Sequence, residues 1–158
     1  MKDGFMSNPR LLTFFAKKNR RPEAGSSLIE FGLAFPILIL MVLGTADFGR
    51  VFYTYVTLAN AAHTGAEYGA TSAPKTTDSA GISQAALNDS KDLTGVTITS
   101  QPFCQCSDGT TVNCATSSCS PLRYYVSVKA VKAFQTLAPY PGIPSSTNVT
   151  AVAVIRAQ

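Results

Sequence analysis

The most apolar stretch of this chain is one run, Phe31 to Ala46, sixteen residues without a charge. At about 1.5 Å of helical rise per residue the run covers roughly 24 Å, short of the ~30 Å of hydrocarbon in a bilayer. Counting back to Ser26 gives 21 residues in which Glu30 is the single charge, enough to span if that carboxylate finds a partner. Beyond the run, Phe48, Val51, Phe52, Tyr55, Ala59, Ala62, Ala66 and Gly69 recur at steps of three and four, the spacing of one helix face. The pattern predicts one helix from Ser26 to about Ala70, 45 residues and on the order of 68 Å. Its outer half is amphipathic and rich in small residues that allow close packing. Pro36 lacks an amide hydrogen and crowds the preceding turn, so a kink or local melting is expected there.

Apolar periodicity stops at Ser72-Ala-Pro-Lys-Thr-Thr-Asp-Ser, a cluster of turn formers that ends the helix. A short helix follows around Ile82 to Asn88. Strands are expected at Val96 to Ser100, Tyr124 to Phe134 and Asn148 to Ala157, the last two dominated by alternating β-branched and aromatic residues. Between them lie a cysteine-rich loop and the proline-rich turn that starts at Ala138.

Composition sharpens this picture. Of 158 residues, 46% are hydrophobic and 14% charged, well under the roughly 25% charge of soluble domains, which indicates a membrane or heavily buried part. The length excludes a large two-domain enzyme. The net charge of +4 resides wholly in residues 1 to 25, where Lys2, Arg10, Lys17, Lys18, Arg20 and Arg21 face Asp3 and Glu23; the rest of the chain balances seven cations with seven anions. A basic segment directly before an apolar run marks a cytoplasmic leader under the positive-inside rule, and no nucleic-acid partner is expected.

Cys104, Cys106, Cys114 and Cys119 lack the paired C-x2-C spacing of a four-thiolate zinc site, so disulfides in an exported domain are the favoured reading. A Cys104–Cys106 bridge would close a strained ring, so each is expected to join Cys114 or Cys119. His63 is the single histidine, and with Glu67 at i+4 it reads as a surface pair. Ser72-Ala-Pro-Lys75 fits S-x-x-K by chance, since Pro74 breaks the helix that motif requires. Asn88-Asp-Ser90 and Asn148-Val-Thr150 fit a three-residue glycosylation rule that such a chain meets by accident. Neither an enzyme nor a cofactor is expected.

Glu30 needs an explanation, because a carboxylate in an apolar span costs about 2.5 to 3.5 kcal/mol at its centre and less near an end. It lies five residues after Gly25, at the junction of basic leader and apolar helix. A cut between Gly25 and Ser26 would create an ammonium that Glu30 could neutralise about one turn along, in the same or a neighbouring subunit. The G-x-x-x-x-E junction resembles the class III signal of type IV prepilins. Glu30-Phe-Gly-Leu-Ala-Phe-Pro36, Leu43-Gly-Thr-Ala-Asp-Phe-Gly-Arg50, Asn60-Ala-Ala and Gly65-Ala-Glu-Tyr-Gly-Ala70 resemble the TadE-like pseudopilins, as does Thr150-Ala-Val-Ala-Val-Ile-Arg156 at the far end.

The resemblance implies a minor pilin or pseudopilin of a bacterial tight-adherence (Flp, type IVc) pilus, supporting surface adhesion. It implies an inner-membrane protein, N-terminus cytoplasmic and C-terminal domain periplasmic or extracellular. Its partners would be a prepilin peptidase, other pilin or pseudopilin subunits, the assembly platform with its ATPase indirectly, and the membrane. The expected architecture is α+β: a cleaved leader over 1–25, a long helix over 26–70 with a transmembrane N-terminal half, and an exported head over 71–158 with a small antiparallel sheet. Two other readings are an uncleaved bitopic anchor carrying a binding head and a secreted protein cleaved after Ala46.

Overall fold

In the computed structural model the described residues are 24–158, and the basic leader falls outside them. The chain divides into two compact units, Met1–Leu38 and Ile39–Gln158. The first unit contributes, within the described residues, the opening turns of helix α1 (Ala24–Ala70). Large apolar side chains there point away from protein, with Leu28 74% and Leu33 73% exposed. The backbone stays helical through Pro36 and does not melt there.

The second unit contains the rest of α1, a 3-10 turn (Ala73–Thr77), helix α2 (Ser79–Asp89) and four strands: β1 (Val96–Gln105), β2 (Thr111–Val112), β3 (Arg123–Gln135) and β4 (Ser146–Arg156). The strands form one antiparallel sheet in the order β2-β1-β3-β4. Period-two alternation sorts β3: Val126, Val128 and Ala130 are fully buried, and Tyr125, Ser127 and Lys129 take the other face. Ile98 and Ala151 flank Ala130 in register. Onto this inner face pack Leu58, Ala62 and Ala66 of α1, spaced four apart, with Ile82 of α2 completing the core.

Small residues bring α2 close. A Cβ at Gly65 would stand 3.1 Å from the Ala86 Cβ and 3.2 Å from the Ile82 carbonyl oxygen. Asp78 caps α2, accepting from the Gly81 N–H at 3.0 Å, and also accepts from the Tyr68 hydroxyl of α1 at 3.0 Å. The Gly81 amide, followed by the Tyr68 hydroxyl, holds the Asp78 carboxyl below its ordinary range. The cap explains why α2 begins at Ser79, three residues ahead of its first buried apolar residue, Ile82.

The expected stripe of α1 is buried only in its outer part, which includes Ala62 and Ala66, while Phe48, Phe52 and Tyr55 are exposed. In the strand region three further features differ from the sequence-based expectation. Strand β1 continues past Ser100 to Gln105, because Gln101 to Gln105 remain paired with Ser127 to Arg123. Cys104 therefore belongs to a strand rather than to a loop, and is fully buried. The two-residue β2, paired through Cys104 and Gln105, is too short to leave a periodic signal.

Replacing Gly65 with Val should lower stability by about 1–3 kcal/mol, since the Ile82 backbone oxygen cannot rotate away. Gly49→Ala, where an added Cβ meets nothing within 4 Å, should be neutral or stabilising by up to about 1 kcal/mol. Denaturant unfolding of both variants checks the contrast.

Candidate functional site

Three regions carry the residues singled out by sequence. Within the first unit, Gly25 lies in the first turn of α1 and Glu30 about one turn beyond Ser26, its side chain exposed. Phe31 and Phe35 stand beside each other with ring centroids 5.4 Å apart. Helix α1 is long and apolar enough to cross a membrane, and none of its most apolar window is buried against protein.

In the second unit, the helix leaves its apolar run at Asp47, which is only 6% exposed. One carboxylate oxygen accepts from the Leu137 N–H at 2.9 Å and from the Tyr140 hydroxyl at 3.0 Å; the other accepts from Arg50 Nη1 at 2.8 Å. The Arg50 guanidinium also lies over the Phe134 ring, 5.1 Å from its centroid. One turn of α1 thereby fixes the β3–β4 connection. The sequence motif Leu43 to Arg50 contains Asp47 without assigning it a role; the available signal was an Asp directly after an apolar run with Arg at i+3.

The cysteine segment forms two crossed links, Cys104–Cys114 and Cys106–Cys119. They tie the end of β1 to β2 and to the segment that leads into β3. Each closes a short stretch, 10 and 13 residues, so each stabilises toward the lower part of the 2–4 kcal/mol range of such bonds. Ser117 Oγ lies 3.1 Å from Cys119 Sγ. His63 and Glu67 meet at 3.5 Å with both side chains more than half exposed, a surface pair. The Lys75 ammonium lies over the Tyr68 ring, 4.8 Å from its centroid, a cation–π contact.

Residues 25–67 match the family model of TadE-like proteins, a segment that takes in the junction, the apolar run and most of the outer half of α1. No curated protein and no solved structure matches the chain.

Cys104 is fully buried, so the Cys104–Cys114 link is accessible only from the partly exposed Cys114, while both ends of Cys106–Cys119 are partly exposed. Under mild reduction followed by alkylation and mass mapping, label should therefore enter Cys106 and Cys119 before Cys104 and Cys114, and thiol counting on unreduced, unfolded protein should find no free thiol.

Proposed function

We propose that the chain is a minor pilin or pseudopilin of a tight-adherence (Flp, type IVc) pilus, held in the inner membrane as a precursor with a cytoplasmic leader and assembled to support surface adhesion. The observation that carries this reading is the TadE-like match over residues 25–67, which begins at the Gly25 junction and covers the exposed apolar face of α1. TadE-like proteins are associated with tight-adherence pilus systems.

The chemistry follows from the residues. A prepilin peptidase cuts between Gly25 and Ser26 and frees an ammonium. Glu30, four residues along the helix, neutralises it in the same or an adjacent subunit. In the membrane, lipid covers the apolar face of α1; in a filament, the equivalent faces of neighbouring pilin subunits replace lipid, with no loss of apolar burial. The platform and its ATPase supply the work of extraction. The protein acts by assembly and is not an enzyme, and no cofactor enters its role.

The test is the N-terminal sequence and mass of the chain recovered from membranes and from sheared surface filaments. Removing 25 residues from 158 leaves 133 beginning at Ser26, and this species is expected in both fractions. A chain beginning at Met1 in both fractions, with none beginning at Ser26, would favour an uncleaved anchor, and one beginning at Asp47 a secreted protein; either contradicts the proposal.

A further inference from the structure

At the foot of the head, two depressions meet on one face of α1. The upper one is a groove of about 620 Å³ between α1, the segment Asp92–Thr94 and the end of β3. Ala46 and Gly49 line it from α1, and Arg50, Lys132 and Asp92 bring charge to its walls. The lower one is a shallow trough lined by Met41, Val42, Thr45 and Ala46. Ala46 lines both, and Val42, Ala46, Gly49 and Tyr53 follow the i, i+4, i+7, i+11 spacing of a single helix face.

The polarity changes sharply between the two. The trough is apolar, and the Thr45 hydroxyl is already satisfied by the Met41 carbonyl at 2.8 Å. The groove holds Lys132 and Asp92, neither in a salt bridge among the described residues. Lys132 donates to the Thr94 carbonyl, and Asp92 receives one long contact, 3.5 Å, from the Tyr53 hydroxyl. Arg50 uses Nη1 on Asp47 and keeps further N–H donors. The surroundings thus suit an amphiphile with apolar tails and a headgroup that carries both an anionic and a cationic group.

Depth matches as well. Ala46 closes the uncharged run, and the polar layer of a bilayer extends roughly 5–7 Å beyond the hydrocarbon on each side. Four residues of helix from Ala46 rise about 6 Å, which brings Arg50 to phosphate level. The geometry points to a phospholipid site at the neck: a membrane phospholipid with an ethanolamine headgroup sets its phosphate against Lys132 and Arg50, its ammonium against Asp92, and an acyl chain along Met41 to Ala46. This rests on the membrane-held reading above and extends it. The bound lipid would brace the head at a fixed height over the bilayer and would have to leave when the subunit enters a filament.

The full chain in neutral maltoside micelles tests this by circular-dichroism melting, with dioleoyl phosphatidylethanolamine added against equal dioleoylglycerol, dioleoyl phosphatidylglycerol or inorganic phosphate. The ethanolamine lipid is expected to raise the midpoint by on the order of 5 °C, the other three by clearly less. Gly49→Leu occupies the groove from a position where an added Cβ meets nothing; measured from its own lipid-free midpoint, which helix propensity places at or above the parent's, it should lose the shift. Lys132→Gln and Asp92→Asn should each reduce it. An equal shift with dioleoylglycerol, phosphatidylglycerol or phosphate, or an undiminished shift in Gly49→Leu, would overturn the site. A chain that fractionates with membranes yet shows no ethanolamine-lipid shift would refute the lipid site and leave the anchored-pilin reading intact.

Discussion

The packing of Leu58, Ala62 and Ala66 of α1 on the inner face of the sheet is the contact on which the second unit depends. A four-stranded sheet with one apolar face cannot persist in water unless something covers that face. Here the cover is the outer half of the same helix whose inner half is lined with exposed Leu, Ile and Phe. The helix is therefore read by two different solvents. Up to Ala46 its apolar side chains suit hydrocarbon; from Leu58 onward its buried positions, Leu58, Ala61, Ala62, Ala66 and Ala70, suit a protein core, while Phe48, Phe52 and Tyr55 between these two stretches stay at least half exposed. The Asp47 carboxylate marks the changeover, since its partners Leu137, Tyr140 and Arg50 all belong to the head or its edge.

Small residues decide how that core is built. Gly65 and Gly69 let α2 approach α1, and the alanines of the stripe let α1 approach the sheet. Large side chains at these positions would add apolar area while forcing the elements apart, and in a core this small the loss of contact would outweigh the gain. The crossed disulfides act at the other end of the sheet, where β2 is only two residues long and the segment to β3 has little apolar surface of its own. Covalent links replace the burial that this segment lacks.

Much of this was legible from residue order. The helix end near Ala70, the α+β class, the two long strands and the oxidised state of the cysteines all follow from periodicity and spacing. What escaped did so for physical reasons. The continuation of β1 to Cys104 is hidden because Gln101-Pro-Phe-Cys mixes a proline and a polar residue into a strand whose pairing is enforced by β3. The register of Cys104 against Tyr124 and Val112, which sets the disulfide partners, is long-range and leaves no local trace. The Asp47 network joins residues about ninety positions apart, so sequence could offer the carboxylate but not the amide it accepts from.

The central claim is that the outer half of α1 is part of the head's cooperative core, not an independent stalk. Native-state hydrogen exchange of the full chain in neutral micelles measures this most directly. If the claim holds, the amides of Leu58 to Ala66 exchange with the same opening free energy as those of Val126 to Ala130 and shift together with denaturant. If the helix amides open at markedly lower free energy while the strands stay protected, the sheet is stable without its helical cover and the account is wrong.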